Sequence, residues 1–198
     1  MLCSHLKAAD ATWLPRLVAR VWLEAVGHGR FGTAFGGRVI LVPVPGSAPV
    51  QRAEWVGERV AWCLREVGLA AEVWPLLRRR HAVKKSAFAT AGERPSVLEH
   101  YASFTVERAP SSGVSVSPCS CVGEPEANRL RLTLVDDVIT RGRTLLAAAS
   151  RLREAFPIAD VCAFALLRTL NRDEMLHQVL DPCEGEIRWL WGDARRSP

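Results

Sequence analysis

The sequence predicts an α/β protein, a doubly wound, mostly parallel sheet with helices set between its strands. Three observations lead there. Short, continuous apolar runs rich in β-branched residues, such as Arg38-Val39-Ile40-Leu41-Val42-Pro43 and Leu130-Arg131-Leu132-Thr133-Leu134-Val135, read as strands buried on both faces. Between them lie stretches whose apolar residues recur every three or four positions, the pattern of a helix with one buried face. The two kinds alternate along the chain, as crossover connections in a parallel sheet require.

The elements follow in order. Leu14, Leu17, Val18, Val21 and Ala25 predict a helix over Thr12 to Val26, with Pro15 tolerable only near its start. A glycine-rich stretch, Gly27 to Gly37, leads into the first strand. That strand ends at Pro43-Val44-Pro45-Gly46-Ser47, which cannot continue a hydrogen-bonded ladder. A second helix fits Arg52 to Val67, with Val56, Val60, Cys63, Leu64 and Val67 on one face and Gly68 as its stop. Ala71-Glu72-Val73-Trp74 reads as a short strand. The basic run Arg78-Arg79-Arg80-His81-Ala82-Val83-Lys84-Lys85-Ser86 opens a stretch with no apolar period as far as Pro95, expected as a long loop. Tyr101-Ala102-Ser103-Phe104-Thr105-Val106 alternates as a half-buried strand does. Residues 109–128, rich in Ser, Pro and Gly, are expected as a mobile surface insertion. After the strand ending at Val135 comes an Ala-rich helix, Thr144 to Phe156, stopped by Pro157. Asp160 to Leu167 is a further buried strand and Glu186 to Trp191 the last one, with Trp189 and Trp191 on one face. At helical spacing, Trp55 and Trp62 are expected to pack.

The 198 residues suit one domain, 1–198, and 48% apolar against 24% charged residues exclude disorder as the main state. No apolar run reaches the ~18–20 residues of a membrane helix. Met1 to Lys7 lacks the basic-then-apolar order of a secretory signal, so a cytoplasmic location is expected. Six cysteines are scattered, and Cys119-Ser-Cys121 is their one close pair, a weak metal or redox signal. The formal charge of +5 fits either a nucleic-acid surface or a local patch for a small polyanion.

The run carrying chemistry is Asp136-Asp137-Val138-Ile139-Thr140-Arg141-Gly142-Arg143-Thr144. It places two carboxylates at the end of a strand, then a glycine bend flanked by hydroxyls, then a helix start. A helix N-terminus presents unpaired N–H groups and a positive dipole end to an anion. Gly142 lets backbone approach it closely. Thr140 and Thr144 add hydroxyls, and adjacent carboxylates suit vicinal sugar hydroxyls. In parallel sheets ligands bind beyond the carboxyl ends of strands, which singles out this run, the Pro43–Ser47 turn and the basic loop.

This run resembles the ribose-5-phosphate signature of type I phosphoribosyltransferases, and Pro43-Val44-Pro45-Gly46-Ser47 is similar to their first, pyrophosphate-handling loop. The basic segment Arg78 to Arg94 falls where that family carries a mobile catalytic loop. The spacing as far as Ser103-Phe104 and the acidic pair is similar to the ComF-like, amidophosphoribosyltransferase-like branch, over about residues 38–168. ComF-like proteins often begin with a Cys-rich zinc module, where this chain has Cys3 alone; separately, 198 residues leave no room for a glutaminase domain, so glutamine-dependent amide transfer is not expected from this chain alone. Thr140 stands where enzymes for 6-oxopurines usually place an Asp.

The resemblance implies a sheet of the type I phosphoribosyltransferase kind with a variable hood, here residues 169–198. It implies 5-phosphoribosyl 1-pyrophosphate (PRPP) as ligand, Mg²⁺ as cofactor and an acceptor of unidentified chemistry. Asp136 and Asp137 would hold the ribose hydroxyls, steady the oxocarbenium and reach the metal indirectly. Thr140, Arg141, Gly142, Arg143 and Thr144 would cradle the 5-phosphate. Val44, Pro45, Gly46 and Ser47 would face pyrophosphate, with Arg80 and Arg94 as further cations. Lys84 and Lys85 are candidate catalytic residues of a closing loop, which reads equally as a solvated cationic loop able to attract nucleic acid. His81 and His100 are candidate proton-transfer groups that read more simply as polar surface. A homodimer sharing the basic loop is compatible with the fold. Two functions stand side by side: a Mg²⁺-dependent phosphoribosyltransferase, and a non-catalytic PRPP- or nucleotide-binding module with a regulatory or DNA-uptake role.

Overall fold

The computed structural model describes residues 13–49, 55–84, 94–108, 129–169 and 181–197. Lys85, Cys3, Cys119, Cys121 and the expected insertion at 109–128 lie outside them.

Helix α1 (Trp13–Trp22) runs into a π-helical turn, Leu23–Gly27, and then into strand β1 (Gly36–Pro43). Helix α2 (Val56–Glu66) leads to β2 (Ala70–Val73), which pairs parallel with β1. The chain then crosses back to β5 (Arg131–Ile139) on the other side of β1. Helix α4 (Arg143–Ala155) follows, and β6 (Asp160–Arg168) pairs with β5. The result is a four-stranded, all-parallel sheet in the order β2-β1-β5-β6.

Alternation within β1 builds both faces. Ile40 and Val42 point, with Leu132 and Leu134, into a core completed by Leu145, Ala148 and Leu152 of α4. Val39 and Leu41 point the other way, joining Val18 and Val21 of α1 and Val60, Ala61 and Leu64 of α2. A period of two on each strand thus feeds two helical layers, which is why these runs are almost wholly apolar.

Gly57 shows how closely α2 is seated. A Cβ there would stand 3.1 Å from the Val135 carbonyl and 3.2 Å from that of Val44. Only glycine lets the first turn of α2 approach the strand ends so nearly.

Three expectations are corrected. The basic run does not begin a loop: Leu77–Arg79 is strand β3, paired antiparallel with β4 (Phe104–Val106), and Arg79 lies opposite Phe104. The expected strand over Tyr101 to Val106 is half helix, because α3 (Val97–Ser103) precedes β4. Its start carries a reciprocal cap, in which Ser96 Oγ accepts from the Glu99 N–H while the Glu99 carboxylate accepts from the Ser96 N–H. Ser-x-x-Glu is a helix-start signal, and it outweighs the local alternation. Finally, Glu186–Leu190 (β7) is not the last strand. It pairs antiparallel with β8 (Asp193–Ser197) across a turn in which Trp191 and Gly192 both have positive φ, 56° and 77°. Trp191 is thereby lifted to the tip of the hairpin, 95% exposed, and does not share a strand face with Trp189. Among the described residues no helix is long and apolar enough to cross a membrane.

Candidate functional site

The two loops singled out in the sequence leave the sheet side by side. Pro43 and Val135 are the last paired residues of β1 and β5, and the Val44 N–H donates to the Val135 carbonyl at 2.8 Å. Strand order reverses between these two strands, so a crevice opens there by construction.

On the β1 side, Val44 and Pro45 are buried, Gly46 is exposed and Ser47 half-buried. Both backbone groups of Val44 are engaged within the protein, since Trp55 Nε1 donates to its carbonyl at 2.8 Å. Proline has no N–H to offer. The part of this loop able to present donors to an anion therefore narrows to Gly46 and Ser47. Trp55 also does more than pack, because its indole N–H secures the loop.

On the β5 side the strand continues through the acidic pair to Ile139, held by β6 at Asp136↔Ala165 and Val138↔Leu167. The strand expected to end at Val135 runs four residues further, and the glycine bend follows it. Asp136 lines a cleft together with Arg94, His100, Thr140, Arg141, Gly142, Arg143 and Thr144. Asp137 stands beside it, donating its N–H to Asp136 Oδ1 at 2.9 Å, but is not part of that lining. Burial of its carboxyl, and next the neighbouring Asp137 carboxylate, push the pKa of Asp136 well above the ordinary value. Gly142, at φ 82°, is the N-cap of α4, so the first-turn N–H groups of that 13-residue helix open toward the cleft.

The C-terminal hairpin covers part of this bend. Side-chain atoms of Ile187 lie 2.9 Å from where a Cβ on Gly142 would stand. Asp193 takes a bidentate ion pair from Arg143 and a third bond from Arg141 Nη1 at 3.2 Å. Arg143 Nη1 also donates to the carbonyls of Arg94 and Pro95, at 3.2 and 3.1 Å. With the hairpin in place about 30 Å³ of the cleft is free, on the scale of a small ion or a water.

Behind the cleft sits a cation that sequence reasoning passed over. Arg79 is 5% exposed. Its Nε donates to the Gly46 carbonyl at 2.5 Å, its Nη1 to Ser103 Oγ and its Nη2 to His100 Nδ1 at 3.2 Å, while its guanidinium lies 4.1 Å from the Phe104 ring centre. Burial lowers its pKa to about 10, so it stays cationic near neutrality, and the Asp136 charge works against that fall. His100, 4% exposed, is brought down to about 4 by burial and then by Arg79. It is therefore a neutral interior group and not the polar surface expected of it. The one available signal was the β3–β4 register, hidden because a triple arginine reads as surface charge.

The remaining cations divide. Arg94 lines the cleft, whereas Arg80 is exposed at the end of β3 and engages the fold through its N–H to the Ser103 carbonyl. Lys84 is exposed just past Val83, whose N–H donates to the Ser47 carbonyl at 2.9 Å. The basic segment thus passes beside the first loop. His81 is exposed and outside the cleft lining.

Fold and cleft together define an α/β protein whose charged pocket lies at the carboxyl ends of its central parallel strands. No family model matches the chain, and no curated protein does.

Proposed function

We propose that this chain is a phosphoribosyltransferase of the type I kind, built on a doubly wound sheet with residues 169–198 as its hood. It binds PRPP with Mg²⁺ and passes the phosphoribosyl group to a nucleophilic acceptor with release of pyrophosphate. One observation carries the reading: Asp136, the Thr140–Thr144 bend and the start of α4 share a single cleft beside the Gly46–Ser47 turn.

Each part has work suited to its chemistry. The N–H groups opening α4, with Thr140, Thr144 and the guanidinium groups of Arg141 and Arg143, bind the 5-phosphate. Gly46, Ser47 and Arg94 receive pyrophosphate. Asp136 and Asp137 orient the ribose hydroxyls and stabilise positive charge developing at C1, so the acceleration comes from fixed charges and not from a covalent intermediate. Lys84 and Lys85 supply positive charge to the departing pyrophosphate.

Mg²⁺ takes one or two protein carboxylates and fills its shell with water and ligand oxygens. The acidic pair suits it, because a divalent cation nearby offsets the burial and the Asp137 repulsion that together drive Asp136 toward its protonated form. When bound, the ion screens the charge of pyrophosphate.

The test is titration calorimetry with PRPP, with and without Mg²⁺, followed by pyrophosphate release over base, amine and aromatic acceptors. Binding that needs Mg²⁺ and falls at least about tenfold in Asp136→Asn plus Asp137→Asn supports the reading; no binding at all refutes it. A second reading is a PRPP-binding module without turnover. Tight binding with no pyrophosphate release from any acceptor selects it.

A further inference from the structure

We propose that His100 is a positioning residue that turns the Thr144 hydroxyl into the cleft as a hydrogen-bond donor, as the middle member of a one-way relay starting at Arg79. The proposal rests on the phosphate reading of the cleft and adds a residue to it.

Donor rules determine the direction. A guanidinium has only donors, so the 3.2 Å contact between Arg79 Nη2 and His100 Nδ1 requires the imidazole nitrogen to accept. A neutral imidazole with Nδ1 accepting carries its hydrogen on Nε2. Charged groups around the ring support the neutral form: Arg79 and Arg143 oppose a second proton, against the carboxylate of Glu99 and that of Asp136 across the cleft. On its far side Nε2 lies 3.4 Å from Thr144 Oγ1 and therefore donates to it. A hydroxyl whose oxygen accepts from inside is left with its own hydrogen for an acceptor in the cleft, where Thr144 and His100 are both lining residues.

Arg79 also holds the Gly46 carbonyl at 2.5 Å. One buried cation thus sets both the turn facing the pyrophosphate end of the ligand and, through His100, a donor facing its phosphate end. The geometry needs imidazole in particular, because the two ring nitrogens span from Arg79 to Thr144 with opposite hydrogen-bonding roles.

The relay is read first without ligand, by ¹⁵N NMR of the histidine rings in the full chain. The expected result is an Nε2–H tautomer for His100 that does not titrate between about pH 5.5 and 8. A hydrogen on Nδ1, or a midpoint inside that range, overturns the proposal. It is read next by calorimetry with ribose 5-phosphate on His100→Asn, Thr144→Val and the double variant. Asn keeps an acceptor for Arg79 but cannot reach Thr144, so a merely structural role would leave its affinity nearly unchanged. Each single variant is expected to bind about tenfold more weakly, and the double variant no more weakly than Thr144→Val alone. Additive losses, or full affinity in His100→Asn, overturn the relay. Failure of the unaltered protein to bind ribose 5-phosphate overturns the phosphate reading and with it the role of Thr144, while the NMR result judges the tautomer separately.

Discussion

Asp193 grips Arg143 through two bonds, Nε to Oδ1 at 2.5 Å and Nη2 to Oδ2 at 2.6 Å, and so ties the C-terminal hairpin to the first turn of α4. Residues 50 positions apart meet at the bend proposed to take a phosphate. The carboxylate holds the geometry that a phosphate oxygen pair would hold, because a guanidinium fork suits both equally. Its pKa falls to about 2, chiefly through the bond from Arg143, so at neutral pH it is a full anion competing for the same donors.

Replacing that anion should therefore favour ligand. Asp193→Asn is expected to tighten ribose 5-phosphate binding about fivefold, the scale of a partly exposed ion pair. Calorimetry at constant salt measures it. Weakened binding would mean that the ion pair arranges Arg141 and Arg143 for the ligand and does not compete with it.

Asp136 should trade stability for binding. The folded protein holds the Asp136 proton more tightly than the ordinary value of 3.8 implies. Above that pH the unfolded chain ionises freely while the folded one resists, so stability falls as pH rises toward the folded midpoint. Asp136→Asn removes this penalty. It is expected to melt roughly 2–4 °C higher near neutrality, the shift that about 1 kcal/mol produces in a protein of this size. Mg²⁺-dependent PRPP binding should be lost at the same time. Scanning calorimetry with a parallel binding titration checks both; a lower melting temperature would contradict the burial of this carboxyl.

His100 gives the opposite slope. Its midpoint is about 4 in the folded chain against an ordinary 6.5. Between these values the unfolded chain takes up a proton that the folded one refuses. Its contribution is thus fully present above 6.5 and is lost as pH falls toward 4. His100→Asn should flatten the fall of unfolding free energy over that window by up to about one proton. Urea unfolding at stepped pH measures it, with Asp136→Asn as the background so that the two opposed slopes are not superimposed.

Arg79 joins the Gly46 turn, α3 and the Phe104 ring, and a lysine cannot replace it. Arg79→Lys keeps the charge but loses the fork and the guanidinium contact over the Phe104 ring. A loss of about 2–4 kcal/mol in urea unfolding is expected, from broken charge-assisted bonds and a buried Ser103 and His100 left short of partners. A change under about 0.5 kcal/mol, typical of surface substitutions, would show that this arginine is not integral to the interior.

Much of the sheet could be read directly from the chain. Val39 to Val42 is apolar without a break and Leu132 to Val135 is interrupted only by the buried Thr133, and only strands covered on both faces tolerate that. The Thr140–Thr144 bend was legible because glycine with positive φ, flanking hydroxyls and a helix start are local properties. Where the reading failed, two local signals competed. Tyr101 to Val106 alternates like a strand, but the Ser96–Glu99 cap begins a helix that ends only at Ser103. Three consecutive arginines look like surface, but the pairing of Arg79 with Phe104 turns the middle one inward.

The order of residues alone therefore determined the central strands, the helices that cover them and the glycine bend after the acidic pair, since each depends on neighbours within a few positions. Tertiary structure decided which charges face a ligand and which face one another. Arg79 reaches across 33 positions to Gly46, and Arg143 across 50 to Asp193. A charge in a chain has no partner until folding removes water from around it, and only the packed molecule determines which opposite group then stands nearest.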